Sequence, residues 1–448
     1  MKSVSQAKGN GIIFFMSLIP PVIINICAPS YIPYQIINMI FIIWCSYNSF
    51  SFNNKPITTN TITYLFAYIF LGVAPLYQFA NQISIWNGAP ILPEDYFFAT
   101  LMLLLALFVY SVTYNIFSKR IKCKYIPHIR HRAYLFSRNK ALILCAFSTV
   151  ITLYAFKSYP ILLFFREYNN GSKVVFDTFN NTSLNLIYTI IIRPIPIIVL
   201  LYYNLCKNHT KYVSFVLLLD VIVTNFPLSL PRFYVAGLYL PLIFSYYKTL
   251  LHKAVLIKLV FLLGVMVIFP FLNQGRTARS ISDIKFDIIP NYDMFLSGHF
   301  DTFQNGLRVF RDDFITFGRQ LVGVVLFWLP RSIWPDKPIG SGGVIADEFN
   351  LSFDHISLNY WAEGWINFGI VGMFIFSIAL GFMNAKADNK YYSSKQNTIQ
   401  YSCIYFIYLG MLFFILRGDL ISCVAYMIGL VVITLSSGKF ILKYHADS

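Results

Sequence analysis

Charge is scarce in this chain: 12% of the 448 residues are Asp, Glu, Lys or Arg, while 57% are hydrophobic. A soluble globular domain carries about twice that charge. The shortage excludes one, and a mean hydropathy of +0.61 points to repeated passage through a bilayer. Cysteine is missing from the long stretch between Asn273 and Glu363. The seven cysteines, at 27, 45, 123, 145, 206, 403 and 423, lie in apolar runs or basic loops. That excludes a disulfide framework or a Cys-based metal site in the stretch. No Walker motif, Gly-x-Ser-x-Gly or dinucleotide fingerprint occurs, which leaves ATP-driven transport and soluble nucleotide-sugar chemistry without support. Asp-x-Asp pairs and His clusters are also missing, and Asp312 and Asp313 are adjacent, so no metal and no other cofactor is expected. The first apolar run passes through Pro29-Ser30-Tyr31 straight into another, so no cleavable signal peptide is expected.

What is there is an all-α polytopic membrane protein. Apolar stretches predict spans near 11–28, 32–50, 61–80, 96–117, 141–156, 184–203, 212–230, 232–247, 255–272, 365–384, 401–416 and 420–436. About 12 helices of roughly 20 residues fit this length. The loop Lys119–Lys140 has eight Lys/Arg and no acid, which assigns it to the cytoplasm. Alternation from there puts both termini inside. The basic loops at Lys207–Lys211, Lys248–Lys258, Lys386–Lys395 and Lys439–Lys443 then fall inside as well. The formal charge of +16 is therefore read as sidedness, and no nucleic-acid partner is expected. No repeat or low-complexity linker appears, so residues 1–448 form one integral domain, with membrane lipids around it.

Within that domain, residues 273–364 form one large outer loop between spans 9 and 10. The stretch from 273 to 363 gathers eleven of the nineteen carboxylates and six of the fourteen arginines. The cations also differ by side: 17 of 21 inner ones are Lys, whereas 10 of 14 outer ones are Arg. Holding a loop inside needs only positive charge, but a planar fork of donors grips phosphate in pairs. Arg331 and Lys337 stand in a loop with Pro330, Pro335, Pro338, Gly340, Gly342 and Gly343, stiff yet able to approach a ligand closely. They suit a lipid-linked diphosphate; a lipid headgroup, or a pair with Asp336, is the plainer alternative. Arg232 and Arg417 lie at outer span mouths and suit the same ligand, or structural pairs with Asp220 and Asp419. Arg193 lies inside a span, and Arg276 and Arg279 fit an interface anchor.

For acid–base work the candidates are Glu363, His299, Asp301, Asp336 and Glu94-Asp95. Glu363 precedes the tenth span, where desolvation would raise its pKa, and His299 titrates near neutrality by type. Leu321–Leu329 is apolar but too short to span, so it reads as re-entrant or interfacial. Phe303, Leu307, Phe310, Phe314 and Phe317 recur at helical spacing between Phe295 and Arg319 and predict one or two amphipathic helices, surface-lying or packed on the core.

Several blocks resemble the Wzy-type O-antigen polymerases, the oligosaccharide repeat unit polymerases. They are Asn225-Phe226-Pro227 with Pro231-Arg232-Phe233, Phe303-Gln304-Asn305-Gly306-Leu307-Arg308, and Phe327 to Gly340. Asn359, Ala362-Glu363 and Asn367-Phe368-Gly369 complete the likeness. The resemblance implies a bacterial inner-membrane glycosyltransferase, GT-C-like in fold, working on the periplasmic face in lipopolysaccharide biosynthesis. It would move a growing glycan from undecaprenyl diphosphate onto an incoming lipid-linked repeat unit, with a separate chain-length regulator as partner. Arg331, Lys337, Arg232, Arg417 and Arg308 would hold the diphosphate, and Glu363 or His299 would assist the acceptor. Trp361 and Trp365, flanking Glu363, depart from the smaller or Tyr residues such a block leads one to expect. An O-antigen ligase and a flippase of lipid-linked oligosaccharide are the alternatives. A flippase would place its charge inside the spans, whereas here it gathers in one outer loop.

Overall fold

The computed structural model describes residues 2–50, 56–118, 128–129, 134–165, 179, 182–206, 210–247, 250–252, 254–263, 292–393 and 396–444. Most of the basic loop at 119–140, the end of the predicted span 255–272, and Arg276 and Arg279 lie outside these residues.

Helices dominate, and among the described residues seven are long and apolar enough to cross a membrane: Thr59–Ala80, Pro93–Phe117, Ser183–Leu205, Lys211–Ser229, Tyr360–Tyr392, Ile399–Arg417 and Leu420–Ile441. The other predicted spans also fall on helices, at Gly11–Cys27, Ile32–Phe50, Arg138–Ala155, Arg232–Tyr246 and Ala254–Leu263. These are short, or interrupted by polar residues such as Gln35, Asn38 and Asn48. Local chemistry sets several ends. Thr58 closes a capping box with Thr61, and Pro93 occupies the first turn of its helix, with Asp95 accepting from the Leu92 amide at 2.8 Å.

The helices sort the polar chain segments to two opposite ends. At one end, Tyr134–Phe136 pairs antiparallel with Leu442–Tyr444, and His128–Ile129 pairs parallel with Gln396–Asn397. Asp388 is buried at this end of the Tyr360–Ser393 helix. Its carboxylate accepts from the Thr59 amide (3.1 Å) and hydroxyl (2.8 Å), from Tyr114 (2.7 Å) and from Tyr405 (2.8 Å). One turn earlier, Asn384 donates to Thr63 and Tyr110 and accepts from Tyr408. Four helices are thus tied by hydrogen bonds that have no water to replace them. Asp388→Ala should lower stability by roughly 3 kcal/mol, because several donors would be left bare in an apolar interior. Thermal unfolding in detergent reads this, and an unchanged midpoint would refute it.

The opposite end carries the large loop, and here Tyr360–Ser393 breaks. Phe368 and Gly369 leave the helical region, Gly369 at φ 60° and ψ −151°. Only glycine tolerates that conformation. The chain folds back so tightly that a Cβ on Gly364 would stand 2.7 Å from the Gly372 carbonyl oxygen. The short first leg, with Glu363 and Asn367, is thereby set apart from the long leg. Asn367 secures it, donating to the Glu363 carbonyl (2.8 Å) and accepting from the Leu321 amide (2.8 Å).

The predicted amphipathic segment becomes a helix over Thr302–Arg311, where Phe303, Leu307 and Phe310 are buried as a core face. Gln304, Asn305 and Arg308 are buried too, so the helix is enclosed on all sides and does not lie on the surface. Left-handed backbone at Asp313 and Phe317 ends the pattern and leaves Phe317 86% exposed. Leu321–Leu329 divides into the short helix Arg319–Val325 and a turn, with Val322, Val325 and Trp328 exposed.

Candidate functional site

The end that carries this loop converges on one junction, the tight turn Arg417-Gly418-Asp419 between two long helices. Gly418 is required there by close approach: a Cβ would stand 2.6 Å from that of Ser357 and 2.9 Å from the Leu358 amide. Arg417 donates to the carbonyls of His299 (3.0 Å) and Gly298 (3.0 Å) and to the Asp301 carboxylate (3.2 Å), and lies over the Phe233 ring at 4.6 Å. Asp301 is buried and accepts also from the Trp86 indole (2.8 Å) and the Ser357 hydroxyl. Arg417 therefore pairs with Asp301 and not with its neighbour Asp419. Sequence adjacency suggested the wrong partner, because the turn points the two side chains apart. Arg232 precedes Phe233 at the start of its helix and is half-buried.

On the other side of the turn, two carboxylates share one serine. Glu363 is 1% exposed; it accepts from the Ser341 hydroxyl (2.7 Å) and from the Leu420 amide (2.9 Å), the first of its helix. Asp419 accepts from the Ser422 hydroxyl at 2.7 Å. Burial pushes the Asp419 carboxyl above its ordinary range, against the pull of Ser422, of the Ile421 and Ser341 amides and of the nearby His355. Gly340 packs so closely on Asp419 that a Cβ there would stand 2.5 Å or less from both carboxylate oxygens. The glycines of the Pro330–Gly343 loop thus serve contact with the protein itself: Gly340 with Asp419, and Gly342 with the Ile356 carbonyl.

The loop cations are placed differently from one another. Lys337 donates to the carbonyls of Phe327 (2.5 Å) and Leu329 (2.9 Å), and burial, then Arg331, push its pKa down. Arg331 is exposed and donates to the Lys337 carbonyl at 2.7 Å; it forms no ion pair with Asp336 among the described residues. The loop is held to the junction through Pro338, against which Gly323 packs, and through Gly340.

Arg308 adjoins the Arg417–Asp301 cluster through the 84–87 loop, whose Trp86 donates to Asp301. It is 1% exposed and donates to Asn305 (3.1 Å), to the Ser84 hydroxyl (3.0 Å) and to the carbonyls of Ile85 (3.0 Å) and Asn87 (2.8 Å). Burial pushes its pKa down to about 10. Its guanidinium is committed to the 84–87 loop and faces no open space. Asp95 is tied to Arg311 at 3.6 Å, and Asp336 offers its carbonyl to Arg319 at 3.3 Å.

The structure thus sets the Arg417–Asp419 turn against the His299 carbonyl on one side and Glu363 on the other, with Arg331 and Lys337 on a loop packed against Asp419 and Arg308 enclosed at the 84–87 loop. Ser341, His355 and the position of Asp419 beside Glu363 escaped the sequence reading. The Gly340-Ser341 step before a helix was the only local signal. No group of three or more His, Cys, Asp or Glu residues suited to a metal occurs among the described residues. No protein-family model matches the chain, and no curated protein or solved structure is detectably similar to it.

Proposed function

We propose that this chain is a glycosyltransferase of the bacterial inner membrane that polymerises undecaprenyl-diphosphate-linked oligosaccharide repeat units into O-antigen. In this reading it has twelve spans in a GT-C-like arrangement, with both termini cytoplasmic and the Arg417 junction facing the periplasm. The observation that supports the reading is the meeting, at one end of the helices, of Arg417, the loop carrying Arg331 and Lys337, and the buried carboxylates Asp301, Glu363 and Asp419. Charge held at membrane depth is costly and marks a place that handles charged groups.

The roles are assigned from placement in the fold. Arg331, exposed at the loop, and Arg232, at the helix mouth, are the primary ligands of the diphosphate and neutralise it as it leaves. Lys337 and Arg417 hold the loop and the junction while adding positive potential. Arg308 is a clamp on the 84–87 loop and not a ligand. Half-buried His299 receives the proton of the acceptor hydroxyl. Glu363, enclosed by Ser341 and Leu420, keeps the junction in register and acts on the acceptor only through Ser341.

Arg331→Ala should cut polymer by about 100-fold or more, the scale of losing one preorganised charge contact. Arg331→Lys should restore little of it, because an ammonium cannot bind two phosphate oxygens in one plane. Electrophoresis of surface polysaccharide from a deletion strain carrying each variant reads both. A single repeat unit on lipid A core supports the reading, since flipping and ligation then still work. Bare core would indicate the flippase or the ligase instead, and full-length polymer from Arg331→Ala would remove this site.

A further inference from the structure

An open groove of about 620 Å³ lies between the start of the Pro93–Phe117 helix, the end of the Thr302–Arg311 helix and the break at Phe368-Gly369. Small-molecule sites span roughly 300–1,000 Å³, so this one is large enough to hold a ligand. Its apolar wall includes Phe98, Phe310, Phe368 and Ile370, and its charged members are Arg311 and Asp313. Trp365 joins the two parts. Its ring packs on Phe310 at 5.1 Å, and its indole N–H donates to the Asp313 carboxylate at 3.0 Å. An aromatic ring with one dry and one wet end is characteristic of a membrane boundary.

The apolar side of the groove runs into surface that faces lipid. Exposed Phe98, Leu105 and Val112 recur at heptad spacing on one face of Pro93–Phe117. Exposed Val371, Ile375 and Ile378 form a matching row on the long leg of Tyr360–Ser393. Both helices are long and apolar enough to cross a membrane, so these rows lie against hydrocarbon chains. Phe98 and Ile370 stand at the head of the rows and line the groove. A chain can therefore enter it from the bilayer.

The charged side selects the head group. Arg311 is matched by Asp312 at 2.8 Å and by Asp95 at 3.6 Å. Asp313 is exposed and forms no ion pair among the described residues. Three carboxylates against one guanidinium repel an anionic head group and attract an ammonium. An amine with N–H donors gains most, since a carboxylate only accepts.

We propose that this groove binds a chain of an ethanolamine phospholipid, with the lipid's ammonium on Asp313. The proposal stands apart from the polymerase reading, because this lipid neither gives nor receives glycan. Full-length protein in detergent would be titrated with dioctanoyl phosphatidylethanolamine and its choline and glycerol counterparts, reading the thermal midpoint. Glycerophosphoethanolamine, the same head without chains, is the fourth probe.

The ethanolamine lipid should raise the midpoint saturably. The choline lipid, with no N–H to donate, should act more weakly, and the glycerol lipid and the chainless head not at all. Asp313→Asn should weaken the ethanolamine lipid about tenfold and bring it close to the choline lipid, as expected for losing one hydrogen bond to a charged group. Asparagine tolerates the left-handed backbone at φ 44° and can still accept from Trp365, so the unliganded midpoint should hold. Ile370→Trp, at the half-exposed mouth, should fill the groove and remove the response. A choline or glycerol lipid as effective as the ethanolamine lipid would overturn the role of Asp313. No saturable response, an equal response to the chainless head, or an unaltered preference in Asp313→Asn would each overturn the site.

Discussion

Arg417→Ala is expected to abolish polymer and to lower stability by about 3–5 kcal/mol, the scale of breaking one side of a buried ion pair. The substitution leaves Asp301 buried with only Trp86 and Ser357 as donors, and frees the carbonyls of Gly298 and His299 from their shared partner. Arg417→Lys should recover little, since a single ammonium cannot span two carbonyls and a carboxylate at once. Asp301→Asn placed on Arg417→Ala should return part of the stability, because the stranded charge is gone. That coupling in a double-mutant cycle distinguishes loss of the pair from loss of packing. Thermal midpoints of the four proteins decide it: an Arg417→Ala protein as stable as wild type would mean that the pair does not hold the junction.

Gly342→Ala is expected to be nearly as damaging, although it removes no functional group. A methyl there would fall inside the van der Waals shell of the Ile356 carbonyl oxygen, and backbone cannot move aside as a side chain can. Relief requires the Ser341–Glu348 helix to shift, which draws Ser341 away from Glu363. A stability loss of roughly 2–3 kcal/mol follows from the overpacking, with polymer lost in proportion to the displacement. Gly343→Ala is the control. Its Cβ would meet only the far end of the Ile339 side chain, at 2.9 Å, so it should be tolerated. Equal behaviour of the two variants would show that loop flexibility, and not this contact, is what the glycines provide.

The distinction between these glycines was not legible in the sequence, where both read as freedom to approach a ligand. Glycine records that something comes close but not what it is. The same holds for the arginines: Arg308, Arg331 and Arg417 are alike as letters. One became a buried clamp, one an exposed donor and one half of an ion pair, according to which carbonyls and carboxylates the fold set against them. The apolar runs were far more legible. A segment of 18 or more apolar residues can satisfy its backbone in a bilayer only as a helix, whatever its neighbours do. Among the described residues seven runs meet that condition, and the weaker ones still fall on helices where they are described.

By itself, then, the amino-acid order determined that this is a helical membrane protein with its basic loops segregated from one large polar loop. Those properties depend on local composition and on charge counted along the chain. Only the tertiary structure decided that Asp419 sits beside Glu363, that Arg417 selects Asp301 across more than a hundred residues, and that Arg193 donates to Thr224 and Ser229. Pairing of buried charges is chosen by three-dimensional proximity and by what desolvation makes too unfavourable to leave alone, and neither is written in spacing along the chain.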